Sequence, residues 1–174
     1  MQKHRATALH YDFRLQIGDV MPSWSIPKGP TLDNTVRRLA MVTGDHDLQY
    51  RLFEGIIPKG NYGAGAVMIW DEGTYRPELE IEKGLRYEVT EISKAQQVAA
   101  KSLQEGNLKF RLYGKKLKGS FALVRTKGLQ AGKDSWLLIK HRDQFCQAGY
   151  DAKNFDLSAV SGLSLDEITK KAKE

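Results

Sequence analysis

Cys146 is the only cysteine among 174 residues, which excludes an internal disulfide framework and suits a reducing cytoplasm. No His or Asn motif accompanies it, so it reads as a packed or surface residue and not as a nucleophile. No apolar run approaches the roughly 18 residues needed to cross a bilayer, and no basic-then-apolar leader opens the chain. The expectation is a cytoplasmic protein with no membrane partner. Also absent are G-x-S-x-G, CxxC and HExxH motifs, internal repeats and low-complexity tracts. The loop containing Gly60, Gly63 and Gly65 lacks the GK[ST] ending of a phosphate cradle, so tight turns are its expected use.

The net charge of +6 is unevenly distributed. Lys101 to Arg142 holds eleven Lys and Arg (101, 109, 111, 115, 116, 118, 125, 127, 133, 140, 142) against Glu105 and Asp134, whereas Asp71 to Glu91 holds seven acids against three bases. This segregation is compatible either with a basic surface for a polyanion or with ordinary solvated strand faces.

The pattern is mostly strand. In Leu9–Gln16, Leu9, Tyr11, Phe13 and Leu15 share one face, and His10, Asp12, Arg14 and Gln16 share the other. Further strands are expected at 21–26, 38–43, 66–70, 74–75, 108–113, 120–126 and 136–141, with an extended piece at 50–53. The segment 71–73 is expected to turn the 66–70 strand back on itself. A helix is predicted over Glu91–Gln104, capped by Thr90 and stopped by Gly106. A second opens at Ser164, with Glu167 at capping-box spacing and Leu163–Ile168 as its staple. Many short strands and only two helices predict a mainly β fold, an antiparallel β-barrel with one or two flanking helices, and a sandwich as the alternative. The expected organisation is a β-domain over 1–142, then a linker and C-terminal helix over 143–174.

The polar face of the first strand carries the chemistry. Alternate residues on a strand lie roughly 6.6 Å apart, so His10 and Asp12 can converge on one cation while Arg14 reaches a neighbouring phosphate. Two histidines and a carboxylate suit Mn²⁺, Fe²⁺ or Zn²⁺. His4 is the nearest candidate for the third ligand, with His46 and His141 as other possibilities. Arg14 offers a fork matched to phosphate oxygens. Lys28, among prolines and a glycine, sits on a stiff turn. His46, on an Asp-rich loop, can donate a proton to a leaving oxygen, and Tyr50 lies four residues on.

Lys3-His4 and Leu9-His10-Tyr11-Asp12-Phe13-Arg14-Leu15 resemble the opening of the 3′-phosphoesterase domain of bacterial DNA ligase D. The likeness continues in Ser23–Pro30, Arg38-Leu39-Ala40, Asp45-His46 with Tyr50, Phe53–Gly65, Leu117–Arg125 and Trp136–His141, and covers about residues 2–142. It implies a β-barrel with a crescent-shaped groove for a primer 3′ end, and a divalent metal, Mn²⁺, held by His4, His10 and Asp12. Arg14, His46 and Tyr50 would surround the scissile phosphate, with Gln2, Lys28 and Arg38 close by. The implied reaction, in non-homologous end joining, removes a terminal ribonucleoside and then the 3′-phosphate, leaving a 3′-OH. Implied partners are DNA primer–template ends, attached ligase and polymerase domains, and Ku, with the chain itself a monomer.

Three departures from the family pattern stand out. Only two residues precede Lys3, so the family's N-terminal arm is expected to be missing and ribonucleoside removal to suffer. Asp47 follows His46 where proline is usual, and Lys59 and Asn61 replace two common acids.

Two other classes compete. A non-catalytic nucleic-acid-binding module would use the basic strands alone. An Fe(II) oxygenase would use the same triad, with Arg14 or Arg125 holding a keto-acid carboxylate.

Overall fold

The computed structural model describes residues 1–127 and 134–174; Lys133, counted in the basic stretch, lies outside them. The elements in chain order are β1 (Gln2–Arg5), β2 (Leu9–Arg14), β3 (Val20–Ile26), β4 (Arg37–Asp47), β5 (Gly55–Ile57), β6 (Gly65–Ile69), β7 (Gly73–Glu82), β8 (Leu85–Glu88), α1 (Ile92–Glu105), β9 (Asn107–Gly114), β10 (Lys118–Arg125), β11 (Ser135–Lys140) and α2 (Leu165–Lys171). The fold is mainly β with two helices, as expected.

The eleven strands among the described residues form one antiparallel sheet in the order β5-β6-β1-β2-β3-β4-β11-β10-β9-β7-β8. It curls until distant strands face each other. Phe13 of β2 stacks on Phe110 of β9 with ring centroids 5.8 Å apart, although four strands separate them in the sheet. The interior holds Tyr11, Trp24, Ile26, Met68, Trp70, Phe121, Leu123 and Trp136.

The expected closure into a barrel does not occur, because β5 and β8 remain as unpaired edges. The chain leaves its expected course at Asp71. The chain was expected to reverse there onto β6, but it crosses to β7, which pairs with β9 and β8. The Asp71 carboxylate accepts from the backbone N–H groups of Glu72, Lys115, Lys116 and Leu117 at 2.8–3.0 Å. These hydrogen bonds tie the β6–β7 connection to the turn between β9 and β10. Residues 143–174 are tied in as well: the Ala159 N–H donates to the Ile69 carbonyl at 2.8 Å, and Tyr150, Ala152, Leu165 and Ile168 join the buried cluster.

Both helices form near their predicted positions. Gly106 ends α1 with φ +79, a conformation that glycine adopts without the Cβ penalty. The start of α1 differs from expectation: the Glu91 carboxylate, not Thr90, caps it by accepting from the N–H groups of Ser93 and Lys94. Ser164 and Glu167 complete the capping box of α2, which lies against β5 and β6. Among the described residues no helix is long and apolar enough to cross a membrane.

A candidate metal centre beside an arginine fork

β1 and β2 form an antiparallel hairpin in which Gln2 faces Asp12 and His4 faces His10. Residues directly opposite share a face of the sheet, so Gln2, His4, His10, Asp12 and Arg14 all project to one side. The six-residue spacing of His4 and His10 becomes a cross-strand pair with ring centroids 4.8 Å apart.

One ligand atom from each of His4, His10 and Asp12 lies within 4.8 Å of the others. His4 Nδ1 is 3.5 Å and His10 Nε2 3.3 Å from Asp12 Oδ2. The outer nitrogens set the tautomers. His4 Nε2 is 2.6 Å from the Gly63 carbonyl and His10 Nδ1 is 3.0 Å from the Ala8 carbonyl. A carbonyl only accepts, so both outer nitrogens carry hydrogen. In the neutral imidazoles the inner lone pairs then point at a carboxylate, which is repulsive unless a proton or a cation lies between them. The donor set and its outer hydrogen bonds fit a divalent metal. The charges agree: Asp12 raises the His10 pKa, so the carboxylate favours a cation at that nitrogen. Burial pushes Asp12 upward, but His10, His4 and Arg14 more than offset it and hold the carboxyl below its ordinary range.

Arg14 is the hub on the other side. Its side chain is only 7% exposed. Nη2 is 3.5 Å from Asp12 Oδ2, Nε donates to Gln2 Oε1 at 2.8 Å, and Nη1 donates to His46 Nδ1 at 3.0 Å. The guanidinium also lies 5.0 Å from the Tyr50 ring centroid. Gln2 fixes the same neighbourhood through Nε2, which donates to the carbonyls of Tyr50 and Phe53 at 3.0 and 3.1 Å. Tyr50 is held between His46 and Phe53, with ring centroids 5.3 and 5.5 Å away.

His46 reaches this place because of a β-bulge. Ser25 pairs with Met41 and Ser23 with Gly44, so β4 has one residue extra between them. Without it, the odd-numbered residues that follow Met41 would face the cleft; the insertion passes that face to Gly44 and His46. Gly44, at φ +97, supplies the backbone conformation. His46 was expected on a loop but stands on strand β4, and Tyr50 was expected in an extended piece but stands on a 3₁₀ turn, Leu48–Leu52. Burial and the Arg14 charge lower the His46 pKa.

These groups line one cleft of about 350 Å³, together with Thr43, Ile57, Tyr62 and Gly63. Of the residues singled out from sequence, His4, His10, Asp12, Arg14, His46 and Tyr50 line the cleft, and Gln2 braces it from beneath. Lys28 and Arg38 are outside the lining. Lys28 is on the exposed turn after β3, and Arg38 stands near the start of β4, at the far end of that strand from His46. His141 is not with the cluster; its Nδ1 pairs with Ser120 Oγ at 2.7 Å. Thr43, on β4, and Tyr62 and the Gly63 carbonyl, in the glycine-rich loop, were not singled out from the sequence; for the last two the loop itself was the only signal.

A curled antiparallel sheet with two histidines, a carboxylate and an arginine fork in one cleft defines a protein equipped to hold a metal next to an oxyanion. Residues 2–125 match the family model of the DNA ligase D 3′-phosphoesterase domain, and the chain belongs to that family. It is 42% identical over 143 residues to the multifunctional non-homologous end joining protein LigD of Pseudomonas aeruginosa, covering 82% of this chain and 15% of that protein. It is 36% identical over 154 residues to the multifunctional non-homologous end joining DNA repair protein LigD of Mycobacterium tuberculosis, covering 88% of this chain and 17% of that one. A relative in Mycolicibacterium smegmatis, also a LigD, is 36% identical over 144 residues. The chain thus spans about a sixth of the length of these relatives.

Proposed function

We propose that this chain is a Mn²⁺-dependent phosphoesterase that heals DNA 3′ ends, removing a terminal ribonucleoside and a 3′-phosphate to leave a 3′-OH for joining. The observation that carries the reading is the convergence of His4, His10 and Asp12 within 4.8 Å, in the same cleft as the Arg14–His46 pair. His4 Nδ1, His10 Nε2 and a carboxylate oxygen of Asp12 hold the metal. When bound, it supplies a Lewis acid for a phosphate oxygen.

The chain's own groups do the rest. Arg14, oriented by Gln2, presents its fork to the phosphoryl oxygens and offsets the charge that grows on them. His46 accepts from Arg14 at Nδ1, so its neutral form carries hydrogen on Nε2 and donates that hydrogen bond to a phosphate oxygen. Passing a proton to the leaving oxygen requires the imidazolium form. Arg14 opposes that form in the free protein, and a phosphate bound beside both groups favours it. Tyr50 holds the His46 ring and the guanidinium in place, while Lys28 and Arg38 meet the nucleic acid further from the cleft. Acting as a monomer, the module would serve attached ligase and polymerase domains and Ku at DNA ends.

The test is a labelled primer–template ending in a ribonucleotide or in a 3′-phosphate, incubated with and without Mn²⁺ and resolved on a sequencing gel. Metal-dependent conversion to a 3′-OH is the expected result. Binding without any product would contradict the reading and leave a non-catalytic nucleic-acid module in its place; turnover that needs oxygen and 2-oxoglutarate would replace it with the oxygenase.

A further inference from the structure

Tyr62 is 99% exposed, more than any other large apolar side chain among the described residues, and it lines the same cleft as His4, His10 and Asp12. A single exposed aromatic is ordinary on a protein surface, so exposure alone assigns nothing. The backbone beneath it is another matter. The Asn61 N–H donates to the Pro58 carbonyl at 3.3 Å, and the Ala64 N–H to the Asn61 carbonyl at 3.1 Å. Two consecutive closed turns therefore display Tyr62, which stands directly after the first residue of the second. The next residue is tied to the candidate metal centre: the Gly63 carbonyl accepts from His4 Nε2 at 2.6 Å. Gly63 also packs so closely, at φ +75, that a Cβ there would come within 3.3 Å of His4 Cε1. The backbone that carries the ring is thus anchored, through the adjacent Gly63, to His4.

The second tyrosine of the cleft makes the contrast. Tyr50 is covered by His46, Phe53 and the Arg14 guanidinium, so its ring is used up within the protein. Tyr62 has neither face covered. An uncovered aromatic face carried on an anchored turn at the rim of a phosphate-handling cleft is suited to a nucleobase, and stacking accepts any base because every base has a π-face. A group that must seat DNA ends of any sequence needs that tolerance.

We propose that Tyr62 is a substrate-binding residue that stacks on the base of the nucleotide carrying the scissile phosphate. This rests on the phosphoesterase reading above. The stack supplies binding and orientation, and no bond is made or broken at Tyr62.

The test uses two 3′-phosphate primer–templates, identical except that the terminal nucleotide carries its base in one and is abasic in the other. Phosphate release is measured for the unsubstituted protein, Tyr62→Ala and Tyr62→Phe. The unsubstituted protein and Tyr62→Phe are expected to favour the base-bearing end by about tenfold, through KM with kcat little changed. Tyr62→Ala is expected to lose that preference and to treat both ends as the unsubstituted protein treats the abasic one. A general loosening of the loop would lower activity on both ends equally, and a base preference undiminished in Tyr62→Ala would overturn the proposal. A second readout separates this claim from the reading it rests on. Binding of a primer ending in 2-aminopurine should quench its fluorescence with the unsubstituted protein and not with Tyr62→Ala. Should no phosphate be released from any substrate, the phosphoesterase reading falls, and this quench alone decides the stacking. Equal quenching by both proteins would refute it.

Discussion

Among the described residues, two clusters that combine histidine and carboxylate are put to opposite uses. At the β1–β2 hairpin, His4, His10 and Asp12 turn their acceptor atoms towards one another and towards an open cleft. Under β10 and β11, Ser120 Oγ lies 2.5 Å from Glu78 and 2.7 Å from His141 Nδ1, and buried Lys140 donates to Asp143 Oδ1 at 2.7 Å. In this second cluster each acceptor named has its donor, so it fastens strands. The same residue types make a site where lone pairs converge unmatched, and a scaffold where they are matched. Part of the basic stretch from Lys101 to Arg142 belongs with the scaffold. Lys140 is buried, Lys115 and Lys116 bind carbonyls of the C-terminal segment, and Arg125 lies over Trp136.

The largest effect that should separate the clusters is that of His10→Ala. Loss of an outer-shell partner costs roughly 10–100-fold in metal affinity or activity, and loss of a ligand should exceed that. Turnover of the 3′-phosphate primer should fall below detection, while the melting temperature changes little, since His10 is partly exposed. Next is Arg14→Lys, which keeps the charge and loses the fork. A decline of about 10²–10³-fold in kcat is expected, the cost of one transition-state donor, with Mn²⁺ binding retained.

Asp143→Asn reverses the pattern. Breaking a buried pair costs about 3 kcal/mol, which denaturant unfolding should register, whereas kcat per folded molecule should remain that of the unsubstituted protein. A further expected effect is a pH dependence. Burial, reinforced by Arg86 and Lys109, lowers His141 from its ordinary 6.5 to about 4; Glu80 acts the other way. Between those pH values the unfolded chain takes up a proton that the folded chain does not, so stability should fall as pH drops from 6.5 to about 4 and level off below. In His141→Gln that slope should flatten.

The β2 strand was legible because its period-two pattern separates Tyr11 and Phe13 from His10, Asp12 and Arg14. β1 was not, since Gln2-Lys3-His4-Arg5 has no apolar alternation. It is a central strand whose inward groups are polar, with Lys3 paired to Asp156 across the chain. The metal triad could therefore be narrowed from the residues but not closed: choosing His4 over His46 or His141 depended on the family resemblance, and the β1–β2 register now brings His4 to His10. His46 was placed on a loop because a bulge leaves no periodic signal, and the bulge is what aims it. Barrel closure was inferred from strand count, and a count of strands does not show that β7 pairs with β9 and β8 and leaves β5 and β8 as edges.

The most direct test of the account is Mn²⁺ binding followed by electron paramagnetic resonance in the unsubstituted protein, His10→Ala and His141→Ala. The account predicts one bound ion that is lost in His10→Ala and retained in His141→Ala. Binding that survives His10→Ala, or disappears with His141, would contradict it.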